Sequence, residues 1–316
     1  ELIWGKNPTD PMHQRFLLVS QSKMNHDIEQ LRYLADLGTE TEKFQALEEL
    51  YTNVSLEIDW SKEGTQLLTN EHRRLLKDCY NRPISMLEAP EVPGGSWNDK
   101  IDAEKIEKDY FEHKHGLTYV DDFLTPNALS LLRKFLLGST IWNDVKPGGY
   151  LGAYLEDGLA CPLLLQIASD LRNNFLEIFK DHQLTQLWAY KYDSLANKSD
   201  NRLTGIAPHA DHAAVNVNFW VTPSSANLDP DSGGLIVYNT PAPLEWGFKT
   251  FNRDKVKIAK HLEGNSGENS IVPYRENRVV IFNSNLIHET DNFDFLEGYE
   301  NRRINVTLLF GQRGGL

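Results

Sequence analysis

Three features of the sequence predict an α+β fold. Residues 1–82 carry apolar residues at three- and four-residue steps, Pro and Gly interrupt regular structure between residues 83 and 100, and short alternating strands succeed one another from residue 186. Helices first and strands after predict sheets that form a sandwich or barrel, with helices over an outer face. The chain has 316 residues, enough for one large domain or two modest ones.

In the first segment Met24, Ile28, Leu31 and Leu34 share one helix face, and Phe44, Leu47, Leu50, Tyr51 and Val54 share another. Leu67, Leu68, Leu75, Leu76 and Tyr80 predict a third helix. Paired amphipathic helices of this kind have two readings. One is the end of a tetratricopeptide array, with a protein partner on the helices; the other is a helical cap on the main domain. The chain begins at Glu1, which fits a piece of a longer protein. Pro83, Pro90, Pro93, Gly94 and Gly95 then mark a linker, residues 101–115 a charged helix, and Leu117 to Val120 a short strand. Thr125 can cap the next helix, Pro126 suits its first turn, and Gly138 can end it. A longer helix over 160–181 puts Leu164, Ala168, Leu171, Phe175 and Ile178 on one face. Strands are expected at 186–192, 213–221, 235–238, 278–283 and 303–310. The resulting plan is a helical region at 1–82, a linker and helix at 83–116, and the main domain at 117–316.

Composition bounds the function. With 45 acidic against 32 basic side chains the net charge is −13, which argues against a nucleic-acid footprint. Only Cys79 and Cys161 are present, far apart, so a disulfide framework is not expected and a reducing, cytoplasmic setting fits. No apolar run reaches the length of a membrane span, and no secretory leader is visible.

His209-Ala-Asp211 opens the strongest strand pattern in the chain, Val215-Asn-Val-Asn-Phe-Trp-Val221. Side chains alternate with period two along a strand, so His209 and Asp211 can reach one ion together while His212 points the other way. A second imidazole, His288, follows the buried-looking run Val279-Val-Ile-Phe282. Two imidazoles and one carboxylate suit Fe(II) and leave coordination positions open. The His-x-acid pair alone carries no weight. Roughly 1.4 such pairs are expected by accident at this composition, and the chain holds a second, His261-Leu-Glu263, in a Lys-rich segment without a strand. Context separates the two. Arg303 lies fifteen residues after His288 and leads an alternating run in which Arg303, Asn305 and Thr307 share one face and Ile304, Val306 and Leu308 the other. A one-sided polar strand is often simply solvated. If it faces the same cavity as the histidine, however, a planar guanidinium there can pair both oxygens of a carboxylate. Parity favours Arg303 over Arg302 for that role.

In their order and spacing, His209-x-Asp211, His288 and Arg303-x-Asn305 resemble the Fe(II)- and 2-oxoglutarate-dependent dioxygenases over residues 117–313. The prolyl-hydroxylase-like branch is the most similar. Val120-Asp-Asp-Phe-Leu-Thr-Pro126 resembles its opening strand and helix, Lys191-Tyr192 its aromatic contact to 2-oxoglutarate, and Gly233-Gly234-Leu235 with Tyr238 its paired-glycine strand. The resemblance implies a double-stranded β-helix, a jelly-roll or cupin-like core with flanking helices. It also implies iron on His209, Asp211 and His288, and 2-oxoglutarate on Arg303 with Tyr192, Thr307 and Asn305. O2 would be the second co-substrate, and succinate and CO2 the co-products. Asp211 argues for hydroxylation, or for desaturation or demethylation by the same oxidant, since related halogenases lack this carboxylate. The branch often uses lysine where Arg303 stands, closer to the histidine, and that departure argues against a prolyl substrate. The substrate is therefore expected to be a small molecule or a peptide or protein side chain. The segments 193–208 and 239–277 are candidate loops around it. Trp220, Tyr238, Trp246, Tyr150 and Tyr154 are candidate lining aromatics that a core role explains equally well. The competing class is a helical-repeat interaction protein with a non-catalytic barrel. A cupin-type metalloenzyme without 2-oxoglutarate is a third, and Arg303 weighs against it.

Overall fold

A strand buried on both faces needs a layer on each side, and Val215–Trp220 is buried at every position. The computed structural model describes residues 15–60, 64–146, 148–193, 205–265 and 269–314. The helices are α1 (Gln21–Asp36), α2 (Thr41–Glu57), α3 (Asn70–Leu76), α4 (Ala103–Glu112), α5 (Pro126–Gly138), α6 (Pro162–Asn174), α7 (Leu176–Phe179), α8 (Phe248–Arg253) and α9 (Lys255–Glu263). The strands are β1 (Leu18–Val19), β2 (Gln66–Leu67), β3 (Leu117–Val120), β4 (Asp144–Lys146), β5 (Tyr150–Tyr154), β6 (Leu184–Tyr192), β7 (Val215–Trp220), β8 (Leu235–Pro241), β9 (Asn269–Val272), β10 (Val279–Asn283), β11 (Leu286–Thr290) and β12 (Ile304–Phe310).

Seven strands form one antiparallel sheet in the order β3-β10-β7-β12-β6-β5-β4, and three form a second in the order β11-β8-β9. One face of the large sheet presents Val217, Phe219, Ile281, Val306 and Leu308 to α5 and α6, where Leu132, Phe135, Leu164 and Leu171 complete the main core. Its other face contributes Tyr192, Trp220, Val280 and Phe282 to a second core shared with Leu235, Val237, Val272 and Leu286 of the small sheet. Burying each such side chain stabilises the fold by about 1.5–3 kcal/mol. Among the described residues no helix is long and apolar enough to cross a membrane.

The helix over Pro126–Gly138 begins where the sequence predicts, with the Thr125 hydroxyl accepting from the Ala128 amide at 3.3 Å. Other elements differ from expectation. Leu67 lies on β2, so the third helix is only Asn70–Leu76. The helix expected over 160–181 breaks at Phe175, whose φ −118° and ψ 66° end α6 before α7 begins. Strands β4, β5 and β9 are additional, and after a turn at Ser284 and Asn285 the chain enters a further strand, β11, which carries His288. The stretch 239–277 holds α8, α9 and β9, so it is not one long loop. The Pro-rich segment expected as a linker is packed down, with Ala89, Val92 and Trp97 buried in the main core.

Helices α1 and α2 enclose their own core around Met24, Leu31, Phe44, Tyr51 and Val54. Residues 1–14 and 61–63 of the predicted helical region lie outside the described residues. The pair is fixed to the rest of the fold by polar contacts. The Gln30 amide donates to the carbonyls of Leu137 and Ser139, both at 3.0 Å. Arg302, 5% exposed, pairs with Glu29 at 2.9 Å and Asp193 at 3.4 Å. Deleting one member of a buried pair leaves an uncompensated charge. Arg302→Ala is therefore expected to lower the free energy of unfolding by about 3 kcal/mol, measured by urea denaturation; a change within error would show that the pairing contributes nothing.

Candidate metal centre

His209 and Asp211 sit in the loop ahead of β7, and His288 sits on β11. The two histidines face each other across an isolated antiparallel bridge, with the His209 amide donating to the His288 carbonyl at 3.0 Å and the reverse bond at 2.8 Å. Each ring is then oriented by the carbonyl two residues before it. His209 Nδ1 lies 2.9 Å from the Ala207 oxygen, and His288 Nδ1 lies 3.0 Å from the Leu286 oxygen. A carbonyl only accepts, so each Nδ1 carries the proton and each Nε2 is left as a donor atom for a metal. Both Nε2 atoms face Asp211, at 3.7 Å for His209 and 3.4 Å for His288. One donor atom from each of the three residues lies within 4.8 Å of the others, close enough for one ion to bridge. His212, expected to point away, is exposed on the cavity rim, stacked over Phe251 and outside this cluster.

The protonation states suit ligation. Burial and the neighbouring His288 push the His209 imidazole down to about 4, so it is neutral at pH 7. Burial pushes the Asp211 carboxyl up, but the imidazoles of His288 and His209 beside it and the Asn216 amide outweigh that, and the group lies below the usual range as a carboxylate.

Asn216 was not among the residues expected at the site. Its side-chain amide donates to Asp211 at 2.7 Å, and its own oxygen accepts from Asn218 at 2.6 Å. Asn218 in turn accepts from Thr307 at 2.8 Å and from Asn305 at 2.9 Å. A chain of buried side-chain hydrogen bonds therefore runs from the carboxylate across β7 to β12. Asn305 and Thr307, expected at a co-substrate, use these donors to hold Asn218. The recurrence Asn216-x-Asn218, polar at alternate positions of an otherwise apolar strand, was the available signal.

Arg303 is 1% exposed and faces the same cavity. Its Nε donates to the Gly233 carbonyl at 2.7 Å and one terminal nitrogen to the Gly234 carbonyl at 3.1 Å. The other terminal nitrogen, Nη1, has no hydrogen-bond partner. Tyr192, Trp220, Phe293 and Tyr274 surround the guanidinium, with ring centroids 4.8 to 5.9 Å from its carbon. Burial lowers its pKa, and the two tyrosines work against that shift. An orphaned N–H on a buried cation is a site shaped for an anion. The paired glycines are explained locally: a Cβ on Gly234 would lie 1.9 Å from the Val272 carbonyl oxygen, and Gly233 has φ +81°.

Metal cluster and guanidinium border one cavity of about 650 Å³. Tyr150 and Tyr154 line it, as do Trp188 and Tyr190, which the sequence reading did not single out. Tyr238 instead donates to Glu289, and Trp246 packs on His261 at 5.0 Å. His261 lies on α9 and bonds the Pro241 carbonyl, apart from the metal cluster. Residues 194–204 of the loop expected over the site lie outside the described residues. Taken together, the two-histidine, one-carboxylate set suits non-haem Fe(II), and the buried guanidinium beside it suits a carboxylate co-substrate.

Removing the bond that orients a ligand carboxylate typically weakens metal binding roughly 10–100-fold. Asn216→Ala is expected to weaken Ni(II) binding within that range with no loss of secondary structure, read by titration calorimetry and circular dichroism; unchanged affinity would remove Asn216 from the site.

No protein-family model and no curated protein sequence matches the chain. Among solved structures it is similar to HygX from Streptomyces hygroscopicus with nickel and 2-oxoglutarate bound, at 14% identity over 65% of this chain and 86% of that one, TM-score 0.41. It is also similar to a Pseudomonas putida prolyl-4-hydroxylase, at 17% identity over 73% and 100% of the two chains, TM-score 0.37. A third is an oxidoreductase of the 2OG-Fe(II) oxygenase family from Burkholderia pseudomallei, at 10% identity over 73% and 97%, TM-score 0.42.

Proposed function

We propose that this protein is an Fe(II)- and 2-oxoglutarate-dependent dioxygenase built on a double-stranded β-helix, and that it hydroxylates a small molecule or a peptide or protein side chain. The observation that carries this reading is the pairing of two unlike sites in one cavity: His209, Asp211 and His288 with converging donor atoms, and Arg303 with a buried, unpartnered N–H. A metalloprotein that used no carboxylate co-substrate would have no need to bury that guanidinium.

In this reading His209, Asp211 and His288 hold Fe(II), and Arg303 takes the far carboxylate of 2-oxoglutarate. When bound, the iron and 2-oxoglutarate would supply the oxidising chemistry: one atom of O2 enters a substrate C–H bond, and the other converts 2-oxoglutarate to succinate and CO2. The chain supplies position and environment. Asn216 holds Asp211 by Oδ2, the oxygen that faces His288, and so fixes the orientation of the carboxylate between the two imidazoles. Tyr192, buried beneath the guanidinium, bonds Thr290 at 3.4 Å and keeps water from Arg303, which strengthens its pairing with an anion. The helices α1 and α2 act here as a brace for β6 and β12, and this role does not require a tetratricopeptide array.

Anaerobic addition of Fe(II) and 2-oxoglutarate is expected to give a weak visible charge-transfer band, lost in His288→Ala. A wild-type protein without the band, or a variant that keeps it, would sink the assignment. Arg303→Ala is expected to weaken 2-oxoglutarate binding at least tenfold, about 1.4 kcal/mol, while leaving Ni(II) affinity nearly unchanged. Calorimetry with each ligand separates the two, and parallel losses would mean that Arg303 serves folding instead.

A further inference from the structure

The cavity is far larger than a metal and a small dicarboxylate require, and its two remaining walls differ in chemistry. One wall belongs to the large sheet. Along β6 the side chains of Gln186, Trp188 and Tyr190 share the face that carries Tyr192. Tyr154 of β5 stands opposite Trp188 in the sheet register, and Gly152 stands opposite Tyr190. The glycine is what lets the rings meet: a Cβ there would lie 3.1 Å from the Tyr154 ring and 3.2 Å from the Tyr190 ring. Trp188 and Tyr190 have centroids 6.2 Å apart, and the two tyrosine hydroxyls lie 3.3 Å apart. Trp188 and Tyr190 are only half-buried, so this wall is not simply core.

The other wall is cationic. Residues 249–260 contain Lys249, Arg253, Lys255, Lys257 and Lys260 against a single acid, Asp254, in a chain whose net charge is −13. Asp254 is engaged as the cap of α9, accepting from the Lys257 amide at 3.0 Å. Arg253 and Lys255 line the cavity and are exposed, and neither forms an ion pair among the described residues. This wall is anchored at the metal ligands: the Phe251 carbonyl accepts from the Ala210 amide at 2.8 Å, and Asn252 donates to the Ala210 carbonyl at 3.1 Å. Ala210 is the residue between His209 and Asp211. Trp188, by contrast, pairs with Thr307, which pairs with Asn218. Two strand spacings, about 10 Å, separate the ring wall from the column that holds Asp211.

Building on the oxygenase reading, we infer that the substrate is a small amphipathic anion: a flat ring system that lies on Trp188, Tyr190 and Tyr154, with a carboxylate or phosphate received by Arg253 and Lys255. The carbon presented to the metal then lies between the ring and the anion.

Four probes test this on the full chain, by calorimetry, with and without saturating Ni(II) and 2-oxoglutarate, the latter keeping Arg303 occupied. They are 2-naphthylacetate, 2-naphthyl phosphate, uncharged 2-naphthaleneethanol, and cyclohexylacetate, which has the charge without the flat ring. At least one of the two anionic naphthyl probes is expected to bind about tenfold or more tightly than the last two, and which one it is distinguishes carboxylate from phosphate. The double variant Arg253→Gln/Lys255→Gln should reduce the anionic probe to the level of the alcohol. Trp188→Leu should lose binding of every naphthyl probe, and Trp188→Phe, which keeps a ring in the same fold, should retain it. The inference is overturned if no probe binds up to about 5 mM, if the alcohol matches the anions, or if the double variant binds as wild type. Binding of Ni(II) and 2-oxoglutarate in the same samples reports on the other reading. Intact metal binding without probe recognition removes this inference alone, and probe recognition without metal binding removes the metal assignment alone.

Discussion

A guanidinium buried between two sheets is expensive to keep, because the charge has left water and a carbonyl is only a partial substitute. Arg303 meets this cost across the sandwich. It rises from the large sheet, and two of its nitrogens reach the Gly233 and Gly234 carbonyls at the start of β8 in the small sheet. Glycine is required at Gly234 by the neighbouring backbone, since a Cβ there would meet the Val272 carbonyl. Four aromatic rings close the remaining sides. What is left is one terminal nitrogen, Nη1, without a partner, on a residue that lines the cavity bordered by the candidate metal ligands.

Presenting Arg303 inward fixes what its neighbours must do. Along a strand the next residue faces the opposite way, so Arg302 and Lys191 point to the helices while Arg303 and Tyr192 point to the cavity. Both outward cations are buried and answered there. Arg302 pairs with Glu29 and Asp193. Lys191 donates to the Leu136 carbonyl at 3.2 Å and the Tyr299 hydroxyl at 2.9 Å, and lies 4.3 Å over the Trp142 ring and 4.4 Å over that of Tyr299. Burial and the charge of Arg302 push its pKa well down, against the pull of Asp27 and Glu29 on α1. A register slip of one residue would exchange the two sets and strand four groups in the wrong medium. The N-terminal helices thus specify the register of the two strands on which the cavity depends.

The same parity explains what was legible in the sequence. Ile304, Val306 and Leu308 against Arg303, Asn305 and Thr307 is a period-two signal, and the structure divides the faces in that way. Choosing Arg303 over Arg302 needed only that signal. The candidate metal ligands stood out through context, because Val215–Trp220 and Val279–Asn283 are apolar enough to read as buried strands. The short strands β4 and β5 were not, since Tyr150-Leu-Gly-Ala-Tyr154 has too few residues to show a period and carries glycine where a strand former is expected. That glycine serves the rings beside it, a reason visible only across the sheet. Leu67 followed a helical spacing by coincidence and pairs instead with Leu18, a contact 49 positions away in sequence. Asn216 and Asn218 were passed over because a buried asparagine has no meaning until its partner, here Asp211, is known.

The two histidines repeat one local arrangement: each ring is held by the carbonyl two residues upstream, and their backbones pair with each other. These bonds fix the imidazoles whether or not an ion is present, so the ordering cost is met by folding instead of by binding. Asp211 is held differently, through Asn216 and the side-chain chain of the large sheet. His288 belongs to the small sheet, so any ion bound by all three residues ties the two sheets together. Arg303 ties the same two sheets through the carbonyls at Gly233 and Gly234. An ion and an anion bound here would therefore brace one interface, each reducing the freedom the other has to remove. Linkage makes that coupling reciprocal. It gives a physical reason for the metal and the co-substrate to bind better as a pair than singly, before either touches the other.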